Sequence, residues 1–196
     1  MKQVQTYLNK FGSNLVVDGI IGEKTKAEIK KYITNQNKGI TWVRCDDKLT
    51  NTFDDFGVLW LNGEVAHVFP CSTTAGKHYI QNPITHGGIT GTAIACKQYV
   101  KYSHVFRTSA NWKSLWLGAP YFQQVGSIEI YRDGNKDSVI DTKIKQTGLF
   151  GINFHRAGLG SFIDNWSAGC QVVPDKYWFE IVKHFINGEK IHFCLQ

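Results

Sequence analysis

The amino-acid sequence predicts a mostly β domain, a sandwich or barrel with a C-terminal helix, preceded by a small all-α module. Two patterns of apolar residues and one polar segment predict this arrangement. Apolar residues recur at helical spacing in residues 1–33 and again in residues 174–187. Between these regions they alternate with a period of two, in short segments bounded by glycine-rich turns. Residues 34–39 contain no apolar side chain and separate the two patterns.

The first pattern predicts two short helices around a tight turn. Val4 and Leu8 lie on one face of the first helix, and Gly12 ends it. The second helix covers residues 23–32, after a turn with two glycines. With the polar segment as a linker, we predict a helical module of residues 1–36 and a second domain of residues 40–196.

The second pattern predicts a series of strands. Asn62–Gly63 lies between two alternating segments and is typical of a type I′ hairpin turn, because both central residues need positive φ. The remaining predicted elements are strands at 89–100, 127–132, 149–155 and 191–195, and a helix at 174–187 that ends at Asn187–Gly188. An aromatic segment with Trp112, Trp116, Tyr121 and Phe122 is predicted to pack in the core.

Composition limits the class of protein. The chain has 196 residues, 42% of them hydrophobic and 13% aromatic, which argues against intrinsic disorder. Its longest apolar runs are far shorter than the ~18 residues of a membrane span, so we expect no such span and no signal peptide. The net charge of +6 comes from scattered basic residues, which does not favour nucleic-acid binding. We expect a monomer.

One cysteine and one histidine form the strongest candidate site. The predicted strand at 149–155 ends at His155, and a loop with two glycines leads to Gly169–Cys170 in a tight turn. A cysteine nucleophile needs a base that lowers its thiol pKa and backbone N–H groups that stabilise the oxyanion. Ser167 can orient the imidazole or support the turn. No C-x-x-C pair occurs among the five cysteines, and Cys45, Cys71, Cys96 and Cys194 are predicted to be packing residues, with a disulfide among them left open.

These residues resemble the catalytic motif of the YkuD-like L,D-transpeptidases. That family carries a strand histidine and then Ser/Thr-His-Gly-Cys, which His155, Ser167, Gly169 and Cys170 match. The resemblance covers residues 40–196 and is specific only in residues 151–173. Ala168 replaces the motif histidine, and Gln171–Val172 replaces the usual residues after the cysteine.

The resemblance implies catalytic roles for these four matched residues. Arg156 and Trp166, which flank the motif, are then candidate substrate-binding residues. Because of the departures, hydrolysis and transpeptidation stay open.

The N-terminal turn resembles a second family, the type-1 peptidoglycan-binding module. Its D-G-x-x-G-x-x-T pattern is matched by Asp18, Gly19, Gly22 and Thr25. The resemblance implies peptidoglycan as the partner and these four residues as candidate binding residues. Each of them can also serve only to build the turn.

A third segment carries weak features of a calcium loop. Asp133, Asn135, Asp137 and Asp141 place oxygen atoms at relative positions 1, 3, 5 and 9, but the EF-hand glycine and glutamate are missing. Asp, Asn and Gly also favour ordinary turns. We therefore expect no cofactor and keep calcium as a weak alternative.

Together the two resemblances imply a peptidoglycan-acting cysteine enzyme at the bacterial cell wall. It would cleave or transfer L,D-linked stem-peptide bonds through a thioester on Cys170, as a wall-remodelling enzyme or a phage lysin released without a signal peptide. The alternative is a non-catalytic peptidoglycan-binding protein with a degenerate site. An intracellular cysteine hydrolase acting on another peptide is a third option.

Overall fold

A computed structural model describes residues 1–108 and 119–196. Trp112 and Trp116 of the aromatic segment lie outside the described residues, whereas Tyr121 and Phe122 are buried as predicted. The chain starts with the helices α1 (Lys2–Asn9) and α2 (Glu23–Tyr32), which confirms the two predicted helices. No helix within the described ranges is long and apolar enough to cross a membrane.

Strands dominate the rest of the described chain, which confirms a mostly β protein. The first seven strands are β1 (Lys38–Val43), β2 (Asp55–Leu61), β3 (Glu64–Cys71), β4 (Thr85–His86), β5 (Ile89–Thr90), β6 (Thr92–Ala95) and β7 (Gln98–Arg107). The last six are β8 (Tyr121–Gln124), β9 (Ile128–Asp133), β10 (Lys145–Gly148), β11 (Phe154–Arg156), β12 (Gln171–Val173) and β13 (Lys190–Leu195). Two further helices are α3 (Lys77–Gln81) and α4 (Asp175–Val182).

Eight of these strands form one sheet in the order β12-β11-β8-β7-β13-β1-β2-β3. β13 pairs parallel with β1 and antiparallel with β7. The two ends of the sheet meet at one bridge, where Ser72 and Val172 exchange backbone hydrogen bonds of 2.9 and 3.0 Å. The sheet thus curls into a partly closed barrel, and a second sheet has the order β10-β9-β6.

The main core is enclosed by the curled sheet, the second sheet and α4. It is rich in aromatic side chains, among them Trp42, Phe122, Phe154 and Trp178, which are all fully buried. Burial of this apolar area is the main stabilising contribution to the fold. The helix predicted at residues 174–187 is present but shorter than predicted, because α4 covers only Asp175–Val182.

The N-terminal helices cover the outer face of the barrel. Val4 and Leu8 of α1 and Ile29 of α2 share one buried cluster with Phe56 and Trp60 of β2. The helices have no core of their own in this arrangement, since they bury their apolar faces against the sheet.

The segment predicted to be a linker forms hydrogen bonds with residues of the sheet and with the C-terminal residue Gln196. The backbone N–H of Thr34 donates to the Gln196 side chain at 2.8 Å, and buried Gln36 donates to the Ile40 carbonyl at 2.7 Å. β1 begins at Lys38, inside the segment predicted to be a linker. The division into a module of residues 1–36 and a domain of residues 40–196 stays a prediction.

The backbone conformation of the turn between β2 and β3 confirms the predicted hairpin. Asn62 and Gly63 join β2 to β3 with φ of 54° and 74°, the positive values that a type I′ turn requires. The predicted strand at 149–155 is shorter than expected, because only residues 154–156 pair with neighbouring strands.

Candidate active site

The candidate histidine and cysteine are carried by two paired strands. β11 and β12 run parallel, with His155 opposite Val172 in the register. Cys170 is the residue immediately before β12. Parallel pairing therefore places the turn that carries Cys170 beside the residues that lead into His155. This is the structural basis for treating the two side chains as one site.

A hydrogen-bonded turn presents Cys170. The Ser167 hydroxyl lies 2.8 Å from the Cys170 carbonyl and 3.2 Å from the Thr74 carbonyl, and it accepts a bond of 3.0 Å from the N–H of Gly169. Gly169 has a φ of +127°, and a Cβ atom there would come within 1.9 Å of the Ala93 carbonyl oxygen. Both Ser167 and Gly169 thus hold the turn, which is one of the two roles predicted for Ser167.

The thiol of Cys170 contacts two backbone groups. The N–H of Asn153 donates to Sγ at 3.4 Å, and the thiol donates to the Gly151 carbonyl, also at 3.4 Å. In these contacts backbone groups rather than the imidazole hold the sulfur. Sequence reasoning missed Gly151 and Asn153, because they act through main-chain atoms that residue type does not reveal.

Burial raises the pKa of Cys170 to about 11, although the N–H groups of Asn153 and Cys170 itself act in the opposite direction. The expectation of a lowered thiol pKa is therefore not met. A charged thiolate loses the solvation of water in this site, and two N–H donors compensate only part of that loss.

The imidazole of His155 is held in one tautomer. Its Nδ1 atom lies 2.7 Å from the Arg156 carbonyl oxygen, which can only accept, so Nδ1 carries the hydrogen. Burial lowers the pKa of His155 to about 4, with the bond to Arg156 acting in the opposite direction. His155 is therefore neutral at pH 7, with Nε2 as its basic nitrogen. The resting site pairs a neutral thiol with a neutral base rather than a thiolate with an imidazolium.

The expected oxyanion donors are partly occupied. The N–H of Gly169 donates to the Ser167 hydroxyl oxygen, so this donor is already used within the turn. Among the N–H groups near the sulfur, those of Asn153 and Cys170 act on the thiol itself. These two groups are the better candidates for stabilising negative charge during the reaction.

Arg156 and Trp166 contribute to the surrounding structure. Arg156 forms an ion pair of 2.5 Å with Asp175, the first residue of α4. The Trp166 ring packs so closely on Gly158 that a Cβ atom there would lie 2.5 Å from it. Trp166 also packs with Cys170 against buried Val172. Their predicted substrate contacts stay predictions.

A second buried histidine, His104, has a structural environment. It stacks on Phe154 with 4.0 Å between ring centroids, and its Nε2 lies 2.8 Å from the Ile152 carbonyl. Burial lowers the pKa of His104 to about 4. Ile152 precedes Asn153, so this contact supports the backbone that holds the Cys170 sulfur.

Two residues of the N-terminal motif contact buried Gln5. Its side chain donates to Asp18 at 2.7 Å and accepts from the N–H of Gly19, also at 2.7 Å. Gly19 has a φ of +87°, and Gly22 is the N-cap residue of α2. Thr25 is buried beneath this turn. Asp18, Gly22 and Thr25 line an open cavity of about 370 Å³.

The weak calcium segment forms hydrogen-bonded turns. Asp133 accepts from the N–H of Asp141 at 2.9 Å, and Asp137 accepts from the side chain of Asn135, also at 2.9 Å. Across residues 1–108 and 119–196, no group of three or more His, Cys, Asp or Glu side chains is arranged to hold a metal ion. All five cysteines lie in these ranges and are free thiols.

Comparison with solved structures gives a distant similarity. The chain resembles a crystal structure of an L,D-transpeptidase from Xylanimonas cellulosilytica with 16% sequence identity, over 99% of this chain and 79% of that chain, at a TM-score of 0.37. No protein-family model matches the sequence, and neither does any curated protein. Because the similarity is this distant, a proposal of function depends on the site residues themselves.

Proposed function

We propose that the protein is a peptidoglycan-acting cysteine enzyme that forms a thioester on Cys170 and acts on L,D-linked stem-peptide bonds. The observation that carries this proposal is the fixed tautomer of His155. Its Nδ1–H is bonded to the Arg156 carbonyl, so an unprotonated Nε2 is held on the strand next to the Cys170 turn. Thiol acyl transfer requires a base close to the nucleophile, and the pairing of β11 with β12 supports such an arrangement.

In the proposed reaction, the thiol proton passes to Nε2 of His155 as the sulfur attacks the peptide carbonyl carbon. The carbonyl π electrons move to oxygen, and the N–H groups near the sulfur stabilise that charge. Collapse of the intermediate expels the amine, which takes the proton from His155 and leaves a thioester. Water then releases an acid, or a second amine forms a new peptide bond. This chemistry uses only side chains and backbone groups of the chain.

The wall-binding role of the N-terminal helices is part of the proposal. Asp18, Gly22 and Thr25 line a cavity that can contact a glycan or peptide, while Gly19 fixes the turn. Binding there would raise the local substrate concentration at the thiol. The proposed place of action is the bacterial cell wall.

Purified sacculi treated with the protein, followed by mass spectrometry of the released muropeptides, test the proposal. New 3→3 crosslinks would identify a transpeptidase, and loss of crosslinks or stem residues would identify a peptidase. Cys170→Ala should abolish either change. Cys45→Ala serves as the matched control, because it removes another partly buried thiol and should leave the products unchanged. Identical profiles with wild type and Cys170→Ala would reject the enzymatic proposal.

The raised thiol pKa favours one alternative, a non-catalytic peptidoglycan-binding protein with a degenerate site. This alternative predicts binding to sacculi without a change in muropeptides. It also predicts no covalent adduct between Cys170 and an acylating β-lactam, which intact-mass measurement detects directly.

A further inference from the structure

Three aromatic side chains meet on the outer face of the large sheet, on β7 and β13. The ring of His192 packs against both Tyr99 and Tyr102, with centroid distances of 5.3 and 4.4 Å. Ile191 and Phe193, on either side of His192, belong to the main core, so alternation along β13 turns His192 outwards. Tyr99 and Tyr102 are 47% and 59% exposed. These three rings are called the tyrosine patch below.

The tyrosine patch is built on an irregular pairing of the two strands. Residues 101–103 of β7 lie opposite the single residue His192 of β13. Tyr102 has a φ of +52°, which is unfavourable for a bulky side chain. The N–H of Gly126 donates to the Ser103 carbonyl at 3.0 Å and helps to hold this bulge in place. A bulge redirects side chains, and here the ring of Tyr102 is turned towards His192.

The strained conformation of Tyr102 points to a role outside the core. A non-glycine residue at positive φ destabilises the folded chain, and such strain is concentrated at functional sites. The exposed ring of Tyr102 buries little apolar area in return. Contact of this ring with a ligand would offset the cost.

His192 adds a fixed hydrogen-bond donor to the rings. The N–H of Tyr102 donates to Nδ1 of His192 at 3.0 Å, so the hydrogen of the neutral imidazole is on Nε2. Burial and the charge of Lys101 lower the pKa of His192, which keeps the ring neutral at pH 7. No described residue accepts a hydrogen bond from Nε2, and this atom is not fully buried. The Nε2–H group is therefore available to an acceptor on a ligand.

Two lysines make the surroundings of the tyrosine patch positive. Lys101 lies in the bulge, and Lys190 is on the same face of β13 as His192. Both lysines are exposed and form no ion pair within residues 1–108 and 119–196. Glu189, which precedes Lys190, is already paired with Lys38 at 2.8 Å. A ligand with acidic groups complements this surface.

We propose that the tyrosine patch binds a glycan chain that carries acidic groups. A sugar ring has a face of C–H groups that packs on an aromatic ring, while a sugar hydroxyl accepts from Nε2 of His192. Lys101 and Lys190 then contact the acidic groups. A nucleic-acid strand would also stack on such rings, but it requires a long positive groove, which two lysines do not provide. The choice of peptidoglycan as the glycan rests on the proposed function, whereas the site itself does not involve Cys170.

Binding of glycan strands to the full chain tests the proposal. The probe is the peptide-free glycan of peptidoglycan, which carries a lactyl carboxylate on every second sugar, and a chito-oligosaccharide of equal length is the neutral comparison. Calorimetry should show the acidic strand binding roughly twofold to fivefold more tightly, and Lys101→Gln should remove this difference. Equal affinities for the two glycans, or tighter Tyr102-dependent binding of a thymidine oligonucleotide, would overturn the proposal.

Tyr102→Gly separates a role in binding from a role in folding. Glycine adopts the positive φ without strain, so the variant should melt at the wild-type temperature or above it. It should bind the acidic strand at least about fivefold more weakly, because one stacking ring is lost. Phe179→Ser removes an exposed ring of α4 instead and should leave the affinity unchanged. Unchanged binding by Tyr102→Gly, or weaker binding together with a lower melting temperature, would overturn the proposal.

Treatment of sacculi with the wild-type protein distinguishes this proposal from the proposed function. A protein that binds the glycan strands through Tyr102 but leaves the muropeptides unchanged keeps the glycan site and loses the enzymatic function. A protein that changes the muropeptides through Cys170 but binds the strands equally well with Tyr102→Gly keeps only the enzymatic function.

Discussion

The hydroxyl of Ser167 lies 2.8 Å from the carbonyl oxygen of Cys170, three residues later. The hydroxyl oxygen of Ser167 also accepts a hydrogen bond of 3.0 Å from the N–H of Gly169. Ser167 is buried, so these bonds are shielded from water. The position of the candidate nucleophile thus depends on one hydroxyl that does not contact the sulfur.

Replacing Ser167 with alanine should loosen this turn. Loss of a buried hydroxyl that both donates and accepts should lower the free energy of unfolding by about 1–3 kcal/mol. The rate of thioester formation should fall as well, because Cys170 is held less firmly. Denaturant unfolding and β-lactam acylation measure the two effects. Ser161→Ala, at an exposed loop position, is the control, and equal behaviour of both variants would contradict this role.

Gly169 should tolerate no side chain. Its φ of +127° is unfavourable for other residues, and a Cβ atom would overlap the Ala93 carbonyl oxygen. Gly169→Ala should therefore lower the free energy of unfolding by roughly 3 kcal/mol or more. Gly160→Ala is the matched control, since its nearest neighbouring atom is 4.0 Å away. Similar melting temperatures for the two variants would show that the turn adapts.

The buried histidines predict a loss of stability in acid. His104 and His155 have pKa values lowered to about 4, so the unfolded chain binds their protons more tightly. Their contribution is complete above about pH 6.5 and is lost as the pH falls to about 4, at roughly 3 kcal/mol for each. Burial raises the pKa of Asp55 to about 6, which opposes the trend over part of this range. Burial also raises the pKa of Asp54 and Asp133, which acts in the same direction as Asp55. The shifts of the two buried histidines are larger, so we expect the net change to be a loss.

Urea unfolding at pH 7 and at pH 4.5 measures this loss. His104→Phe keeps a ring against Phe154 but removes one titrating group, so its stability should change less between the two pH values. A wild-type free energy of unfolding that does not change with pH would contradict the buried neutral imidazoles.

Alkylation reports the state of the thiol directly. With a pKa of about 11, Cys170 should react with iodoacetamide about tenfold faster for each pH unit between 7 and 10. Peptide mapping assigns the labelled cysteine, and Cys170→Ala identifies the signal from the other thiols. A rate that levels off below pH 9 would show that the thiol has a lower pKa than its burial indicates.

Packing of the N-terminal helices on the sheet is also testable. Leu8 is fully buried between α1 and the barrel, and Leu8→Ala should cost about 2–5 kcal/mol. Val16→Ala, with 77% of that side chain exposed, should be nearly neutral. A single cooperative unfolding transition that shifts with Leu8→Ala supports one shared core. Two separate transitions, with only the smaller one shifted, would instead support an independent module.

Sequence patterns predicted the features that depend on neighbouring residues. The Asn62–Gly63 hairpin and both N-terminal helices follow from local backbone preferences, and the candidate site residues follow from a short motif. The order of strands in the sheet depends on contacts distant in sequence, which alternation cannot reveal. The hydrogen bond from Thr34 in the predicted linker to Gln196 also joins residues distant in sequence, so sequence patterns could not predict it.

One buried charged residue left a signal in the sequence. In β9, Arg132 lies on the same face of the strand as Ile128 and Ile130, because side chains alternate between the two faces. Both isoleucines are part of the main core. A charge at an inward position of an alternating strand marks a buried polar site. The raised pKa of Cys170 left no such signal, because burial of a thiol depends on the whole fold.

The central position of β13 affects how the chain can fold. This strand joins β7 to β1. Among the described residues, β1–β3 and the strands β7, β8, β11 and β12 therefore share the large sheet only through residues 190–195 and the Ser72–Val172 bridge. During synthesis these two groups of strands can be fully joined only after residues 190–195 have been made. Pairings this distant in sequence slow folding, and the open edges of β1 and β7 are exposed to other chains until β13 arrives. A chaperone that shields strand edges would therefore raise the yield of native protein.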